Sequence, residues 1–297
     1  MSTINVDIVN PFTPGVTDVT VSGVNIDDYN QATKLGYQAG STMGNYSTAV
    51  GRFALNASTG QGNTGVGHQA ARLHSIGTGN TAIGAYALND MVTGTQNTAI
   101  GYFALRYCTP TLLGENTAVG GQSLLLTTTG IRNSALGQDA GRNITTGQNN
   151  ICIGWNSQAT LATVSNEITL GNALNSVLRC AVTSITSLSD ARDKKDIEEL
   201  PVGLDFVNGL KPVKFTWNER NEDGKHDIAD FGFIAQDLKK SQEDAGLADT
   251  LKLVYEANPE KLEASYGKLV PILVKAIQDM SSKMNSLEKE LEILKAK

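Results

Sequence analysis

Ser189 and Lys194 stand five residues apart in the stretch SDARDKKDI. A serine hydroxyl attacks an amide only with a base beside it, and a lysine amine serves as that base when burial or a nearby cation lowers its pKa toward neutrality. On a helix, five residues rotate two side chains about 140° apart, and on a strand they fall on opposite faces. The pair therefore meets only where the chain turns between them or where the contact runs between chains, so any chemistry is expected to wait for assembly. With nucleophile, base and scissile carbonyl in one chain, the entropic cost of a bimolecular encounter disappears, worth about 7–11 kcal/mol of barrier. The carbonyl just before the serine is the natural target. A cut at Leu188–Ser189 is expected, with Ser189–Asp190 as the alternative bond and a merely solvated, charged linker as the plain alternative to both.

This stretch also divides the chain in composition. Residues 1–188 hold 15 charged side chains and 24 of the 30 glycines, leaving 39 charged groups for the last 109 residues. The net charge of −6 gives no electrostatic reason to expect nucleic acid or anionic lipid as a partner. An uncharged Gly/Thr/Asn/Ala-rich segment orders itself only through a regular repeat. Such a repeat is present: STAVG, NTGVG, NTAIG, NTAIG, NTAVG, NSALG and NICIG end at Gly51, Gly67, Gly84, Gly101, Gly120, Gly137 and Gly154. A weaker copy ends at Gly36, and three residues after the successive glycines come Ala39, Ala54, Ala70, Ala87, Ala104, Ser123, Ala140 and Ser157. A fixed period of about seventeen residues marks a solenoid, whose units bury their apolar faces on one another. Each Thr-Ala-Ile/Val-Gly is expected to be a short strand with its Ile or Val inward, Asn and Gly serving the turns because both tolerate positive φ. The small residues predict close backbone approach across coils or between chains. The NTAIGxxAL pattern resembles the head repeats of trimeric bacterial adhesins over about residues 32–160, which implies a left-handed parallel β-roll shared among three chains.

The remaining candidate sites are weaker. GQGNTG, Gly60–Gly65, fits GxGxxG but continues the solenoid register, without the strand and helix that a dinucleotide site requires. His68 and His74 have no carboxylate or cysteine partners at ligand spacing and read as surface or packing residues. His226, Asp227 and Asp230 in KHDIAD read as a solvated loop rather than a metal site. Cys108, Cys152 and Cys180 show no ligand spacing and read as reduced thiols. No cofactor and no metal is expected. The start MSTINVDIVNPF has no basic and apolar leader pattern, so synthesis in a cytoplasm without an export signal is expected, and the Asn45, Asn56 and Asn143 N-x-S/T triplets read as chance matches.

Toward the C-terminus, Val270, Leu273, Ile277, Met280, Met284, Leu287, Leu291 and Leu294 alternate spacings of 3 and 4, the seam of a coiled coil. With Val270 at position a, Lys283 and Glu290 precede Glu288 and Lys295 by five residues, which suits parallel copies in register; packing of the helix on its own domain is the alternative. The mixed a positions do not choose between dimer and trimer. LKPVKFTWN reads as a strand, and DFGFIAQDLKKS as a strand running into a helix.

The block SDARDKKDI, followed by GFIAQD and YGKLVPILVKAIQDM ahead of the heptads, resembles the intramolecular chaperone auto-processing domain of phage tail spikes and fibres, peptidase family S74. The resemblance covers about residues 183–297. Its motif S-D-x-R-x-K-x-x-I is met at Ser189, Asp190, Arg192, Lys194 and Ile197. It implies that Ser189 is the nucleophile and Lys194 its base, and that the domain assembles as a trimer, guides folding of the fibre before it and then cuts itself off.

The expected architecture is mainly β: an attachment segment at 1–31, a trimeric β-solenoid or β-roll shaft at 32–160, a connecting β stem at 161–188, and a small α+β chaperone domain at 189–297 ending in a parallel coiled coil at 270–294. The expected function is that of a homotrimeric tail-fibre or appendage protein of the virion, made in the host cytoplasm, with itself, other virion proteins and a host-surface receptor as partners and neither nucleic acid nor membrane insertion. Two rivals stand beside it. One is an adhesin whose trimerisation domain is never shed. The other is a glycan-degrading spike, which the few scattered acids Asp90, Glu115 and Asp139 disfavour, because glycosidases need paired carboxylates.

Overall fold

Thr-Ala-Ile repeats build strands of three residues. The computed structural model describes residues 18–21, 24–27, 32–73, 76–109, 114–181, 185–218 and 225–296, which form two units divided between Asn175 and Ser176. His74 and most of the expected attachment segment at 1–31 lie outside the described residues. In the first unit, β1 (Asp18–Val21), β2 (Val24–Asp27) and β3 (Ala32–Leu35) pair antiparallel. From β3 onward the pairing is parallel and in register through β4 (Thr48–Val50), β5 (Thr64–Val66), β6 (Thr81–Ile83), β7 (Thr98–Ile100), β8 (Thr117–Val119), β9 (Ser134–Leu136), β10 (Ile151–Ile153) and β11 (Ile168–Leu170). This is a β-solenoid of about eight turns. Its parallel series runs to Leu170, ten residues past the expected end of the repeats, and residues 172–181 and 185–190 carry no strand.

The strands face the opposite way from the expected one. Ala49, Ala82, Ala99, Ala118 and Ala135 at the strand centres are buried, whereas the Ile, Val or Leu after each is half-exposed or exposed. A strand of three puts its outer two residues on one face, and the narrow coil admits only the alanine between them. The larger apolar filling comes from Leu55, Leu88, Leu105 and Leu124, four residues after the repeat glycines. The small residues three after the glycine, from Ala54 to Ser157, fill the same interior.

Asn149, Asn156 and Asn166 take left-handed turns, but the asparagine that opens each repeat strand departs from expectation. Asn63, Asn80, Asn97, Asn116, Asn133 and Asn150 are buried in a ladder in which each Oδ1 accepts the next asparagine's backbone N–H at 2.9–3.1 Å. Ser47 Oγ closes one end, accepting from Asn63 N–H, and the Glu167 N–H closes the other on Asn150 Oδ1. The left-handed turns fall on glycines, as expected, such as Gly62 (φ 66°) and Gly141 (φ 59°), and also on many non-glycine residues. Phe103 (φ 59°) and Leu105 (φ 48°) show the pattern: the first donates its N–H back to Ala85 of the preceding coil, the second forward to Ser123 of the next. Each such residue costs on the order of 1–3 kcal/mol in backbone strain, which cross-coil hydrogen bonds offset.

One glycine is required twice over. Gly101 has φ +137°, and a Cβ there would sit 2.4 Å from the Gly120 carbonyl oxygen of the next coil. Gly101→Ala is expected to destabilise the solenoid by on the order of 3 kcal/mol, whereas Gly121→Ala, whose Cβ would meet nothing closer than 4.0 Å, is expected to be nearly neutral. Parallel thermal melts of the two variants check this, and equal melting temperatures would contradict it.

In the second unit, α1 (Leu204–Gly209) is followed by the antiparallel pair β12 (Pro212–Asn218) and β13 (His226–Phe233). Then come α2 (Ala235–Asp244), α3 (Ala248–Leu251), the short pair β14 (Val254–Tyr255) and β15 (Glu263–Ala264), and the long helix α4 (Leu269–Lys295). The core is thin: Val202, Leu251, Leu253, Leu269 and Ile272 are its buried members. Helix α4 holds α1 through Asp279, whose Oδ2 accepts the Leu204 N–H at 3.1 Å and whose Oδ1 lies 3.2 Å from Lys275 Nζ. Those contacts, the backbone N–H first, hold the Asp279 carboxyl below the usual range.

Candidate functional site

A one-turn 3-10 helix, Ala191–Asp193, supplies the turn that the Ser189–Lys194 spacing demands. Asp190 caps it: its Oδ1 accepts the Arg192 N–H at 2.9 Å, and the Arg192 guanidinium forks onto both carboxylate oxygens. The pair holds the Asp190 carboxyl below its ordinary range and Arg192 above its own. Lys194 leaves the turn extended, at φ −123° and ψ 145°, with its N–H bonded to the Ala191 carbonyl. Its side chain folds back, placing Nζ 2.5 Å from Ser189 Oγ and 3.2 Å from the Ser189 carbonyl oxygen.

The contact is thus made within one chain, by six consecutive residues. It needs neither a second chain nor distant packing, contrary to the expectation that the pair meets only on assembly. What one chain does not supply is cover. Every residue from Ile185 to Glu199 is exposed, with Leu188 and Ile185 bare at 102% and 97% and Ile197 at 71%.

The heptad residues are equally uncovered. Val270, Leu273, Ile277, Met280, Met284, Leu287, Leu291 and Leu294 are 43–66% exposed. The helix packs on its own domain through a different stripe, Leu269, Ile272 and Ala276, continued by Asp279 and by Lys283, which lies 3.6 Å from Asp205. Lys283, read from spacing as an interchain partner, already faces an acid of its own domain.

The other candidates are placed as follows. Gly60–Gly65 runs from a bend into β5, which takes its Thr64 and Gly65, with no helix after it. His68 contacts Gln69 and stacks edge-on with Tyr86. Asp230 accepts from the Trp217 indole at 3.0 Å, and His226 meets Asn218 at 3.4 Å. Among the described residues no three His, Cys, Asp or Glu side chains cluster as metal ligands. Cys108 and Cys152 are buried, which pushes their thiols up to about 12 and about 11, and Cys180 is exposed. The three acids weighed for glycosidase chemistry each meet an arginine: Asp90 with Arg106, Glu115 with Arg132 and Asp139 with Arg142, at 3.3, 2.7 and 3.7 Å.

The segment that begins at Ser189 and runs through α1, the β12–β13 pair and α2 coincides with a known domain. Residues 189–247 match Peptidase S74, the chaperone of endosialidase. The chaperone domain thus opens on the Ser189–Lys194 turn itself. Together with the solenoid before it, this domain fits a phage tail fibre with a C-terminal chaperone, and its family fits a virion-associated protein. Among the described residues no helix is long and apolar enough to cross a membrane. No curated protein and no solved structure matches the chain.

Proposed function

We propose that the chain is a homotrimeric fibre protein whose C-terminal domain templates folding of the solenoid and then releases itself by hydrolysis at Leu188–Ser189. The observation that carries this reading is the 2.5 Å contact of Lys194 Nζ with Ser189 Oγ beside a bare Leu188, at the first residues of a chaperone-of-endosialidase domain.

The choice of bond follows from ring size. Ser189 Oγ reaches the Leu188 carbonyl carbon through a five-membered ring, and its own carbonyl only through a strained four-membered one. In the proposed sequence the free amine of Lys194 takes the Oγ proton as oxygen attacks the Leu188 carbonyl carbon. It then gives that proton to the Ser189 nitrogen as the C–N bond breaks. An ester between Leu188 and Ser189 Oγ results; one water, deprotonated by the same amine, attacks it, and the lysine returns that proton to the departing Oγ as the C–O bond breaks. The products are a Leu188 carboxylate and a Ser189 hydroxyl whose new N-terminal amine holds the carboxyl's proton. The Ser189 carbonyl, accepting one N–H of Lys194, turns the nitrogen lone pair toward Oγ, the part a third residue plays in other nucleophile–base pairs.

Self-association is supported by two uncovered apolar tracks. One is the heptad seam. The other is the outer solenoid ladder Leu35, Val50, Val66, Ile83, Ile100, Val119, Leu136, Ile153 and Leu170, each residue opposite the next across paired strands. Continuous apolar stripes of this kind mark association surfaces, and in-register stripes suit copies of the same chain. Cover from neighbouring chains over Lys194 would favour its free amine, so cleavage would follow assembly. Host-surface binding by the released fibre completes the proposal.

Intact-mass measurement of the purified product tests it. Fragments ending at Leu188 and beginning at Ser189 are expected; an uncut chain in folded trimers would leave a retained trimerisation domain in its place.

A further inference from the structure

We infer that Asp190 is a positioning residue for the Ser189–Lys194 pair, acting as the N-cap that holds the 3-10 turn closed so that the lysine amine stays on the serine hydroxyl. The inference rests on the self-cleavage reading and adds to it a residue that touches neither the scissile carbonyl nor the attacking oxygen.

The argument starts from what holds the turn. It buries no residue, so hydrophobic packing contributes nothing to it. Its own backbone bonds are two, Asp193 N–H to the Asp190 carbonyl at 3.2 Å and Lys194 N–H to the Ala191 carbonyl at 3.1 Å. A single 3-10 turn with two such bonds is marginal in water, since nucleating a turn fixes several dihedrals for few bonds. The Asp190 carboxylate adds the restraints that the turn lacks. It accepts the otherwise orphaned Arg192 N–H at 2.9 Å, the usual service of an N-cap aspartate, and binds the Arg192 side chain through both oxygens. When the turn opens, residues 190–194 extend, and at about 3.3 Å per residue Lys194 moves beyond reach of Ser189.

Of the two services, the backbone cap is the one that fixes the turn. The Arg192 side chain is 89% exposed, and an ion pair so open to water contributes little.

Self-cleavage of the full chain measures the effect. Asp190→Ala is expected to slow fragment release about 5- to 30-fold, the worth of a lost N-cap. Asp190→Ser and Asp190→Asn, which still accept the Arg192 N–H without carrying charge, are expected to stay within about threefold of wild type, as is Arg192→Ala. Rescue by an uncharged cap is a result that a general loss of folding or a charge effect on Lys194 would not give. Asp190→Ala at the wild-type rate, or Asp190→Ser as slow as Asp190→Ala, overturns the inference. Exchange of the Arg192 amide hydrogen on the millisecond scale, in an uncleavable Ser189→Ala background, reads the cap by itself. A wild-type chain that never cleaves overturns the self-cleavage reading and the positioning role with it, and amide protection then shows only whether the cap forms.

Discussion

Ser189→Ala is expected to leave the 297-residue chain uncut, and Lys194→Ala to do the same within the time in which wild type cleaves fully. Loss of either member of a nucleophile–base pair costs several orders of magnitude, on the order of 10⁴-fold or more. The more telling substitution is Lys194→Arg. An arginine reaches as far, keeps the positive charge and donates hydrogen bonds to the same two oxygens, but it does not give up its proton near neutral pH and so cannot act as a base. If Lys194 served only to hold Ser189 in place or to polarise a carbonyl, Lys194→Arg would cleave at a rate near wild type. If it takes the proton from Oγ, Lys194→Arg is as inert as Lys194→Ala. Fragment release followed by gel electrophoresis and mass spectrometry separates the two. Cleavage by Lys194→Arg within about tenfold of wild type would sink the general-base role and leave the chaperone reading standing.

The sequence carried the period of the solenoid and hid its inside. The glycine spacing was legible because a left-handed backbone and the approach of the next coil act on the same position, so no other residue fits at Gly101 or Gly120. Which side of the strand faces inward was not legible. Hydrophobicity favours burying Ile over Ala, and only the bore of the coil, a property of the closed turn, reverses that order. The asparagines that open the strands were misassigned for a related reason. Asn97 tolerates positive φ, but its side chain gains more by joining a buried ladder, and ladder partners seventeen and nineteen residues away are invisible until the coils stack. At the junction, the spacing argument correctly demanded a turn between Ser189 and Lys194. It overlooked that Asp190, an N-cap residue placed two before a backbone N–H, supplies that turn locally. On the self-cleavage reading, the timing of cleavage therefore cannot come from contact between the two side chains. That reading needs it to come from the environment of the contact, and hence from cover over the exposed residues 185–199.

That requirement gives the seam of α4 its largest expected effect. Ile277→Asp together with Met284→Asp puts two carboxylates per chain into the a positions of the heptads. Burying an unpaired charge in such a seam costs on the order of 3 kcal/mol or more per residue, and closed symmetry repeats the cost in every copy. The same helix provides its own control, because the stripe that holds the domain is a different one. Ile272 is 2% exposed against the α1 side, whereas Ile277 is 60% exposed. Ile272→Ala is expected to destabilise the domain by about 2–5 kcal/mol, while the double aspartate variant leaves the single-chain domain folded and removes its association. In full-length protein the double variant is expected to lose trimers by analytical ultracentrifugation and to release fragments at least tenfold more slowly, roughly 1.4 kcal/mol of lost activation. Far-UV circular dichroism should stay close to wild type. Cleavage at the wild-type rate by monomeric double variant would break the link between assembly and chemistry: the six-residue turn would then suffice for both contact and activation, and the chaperone would hold no control over when it leaves.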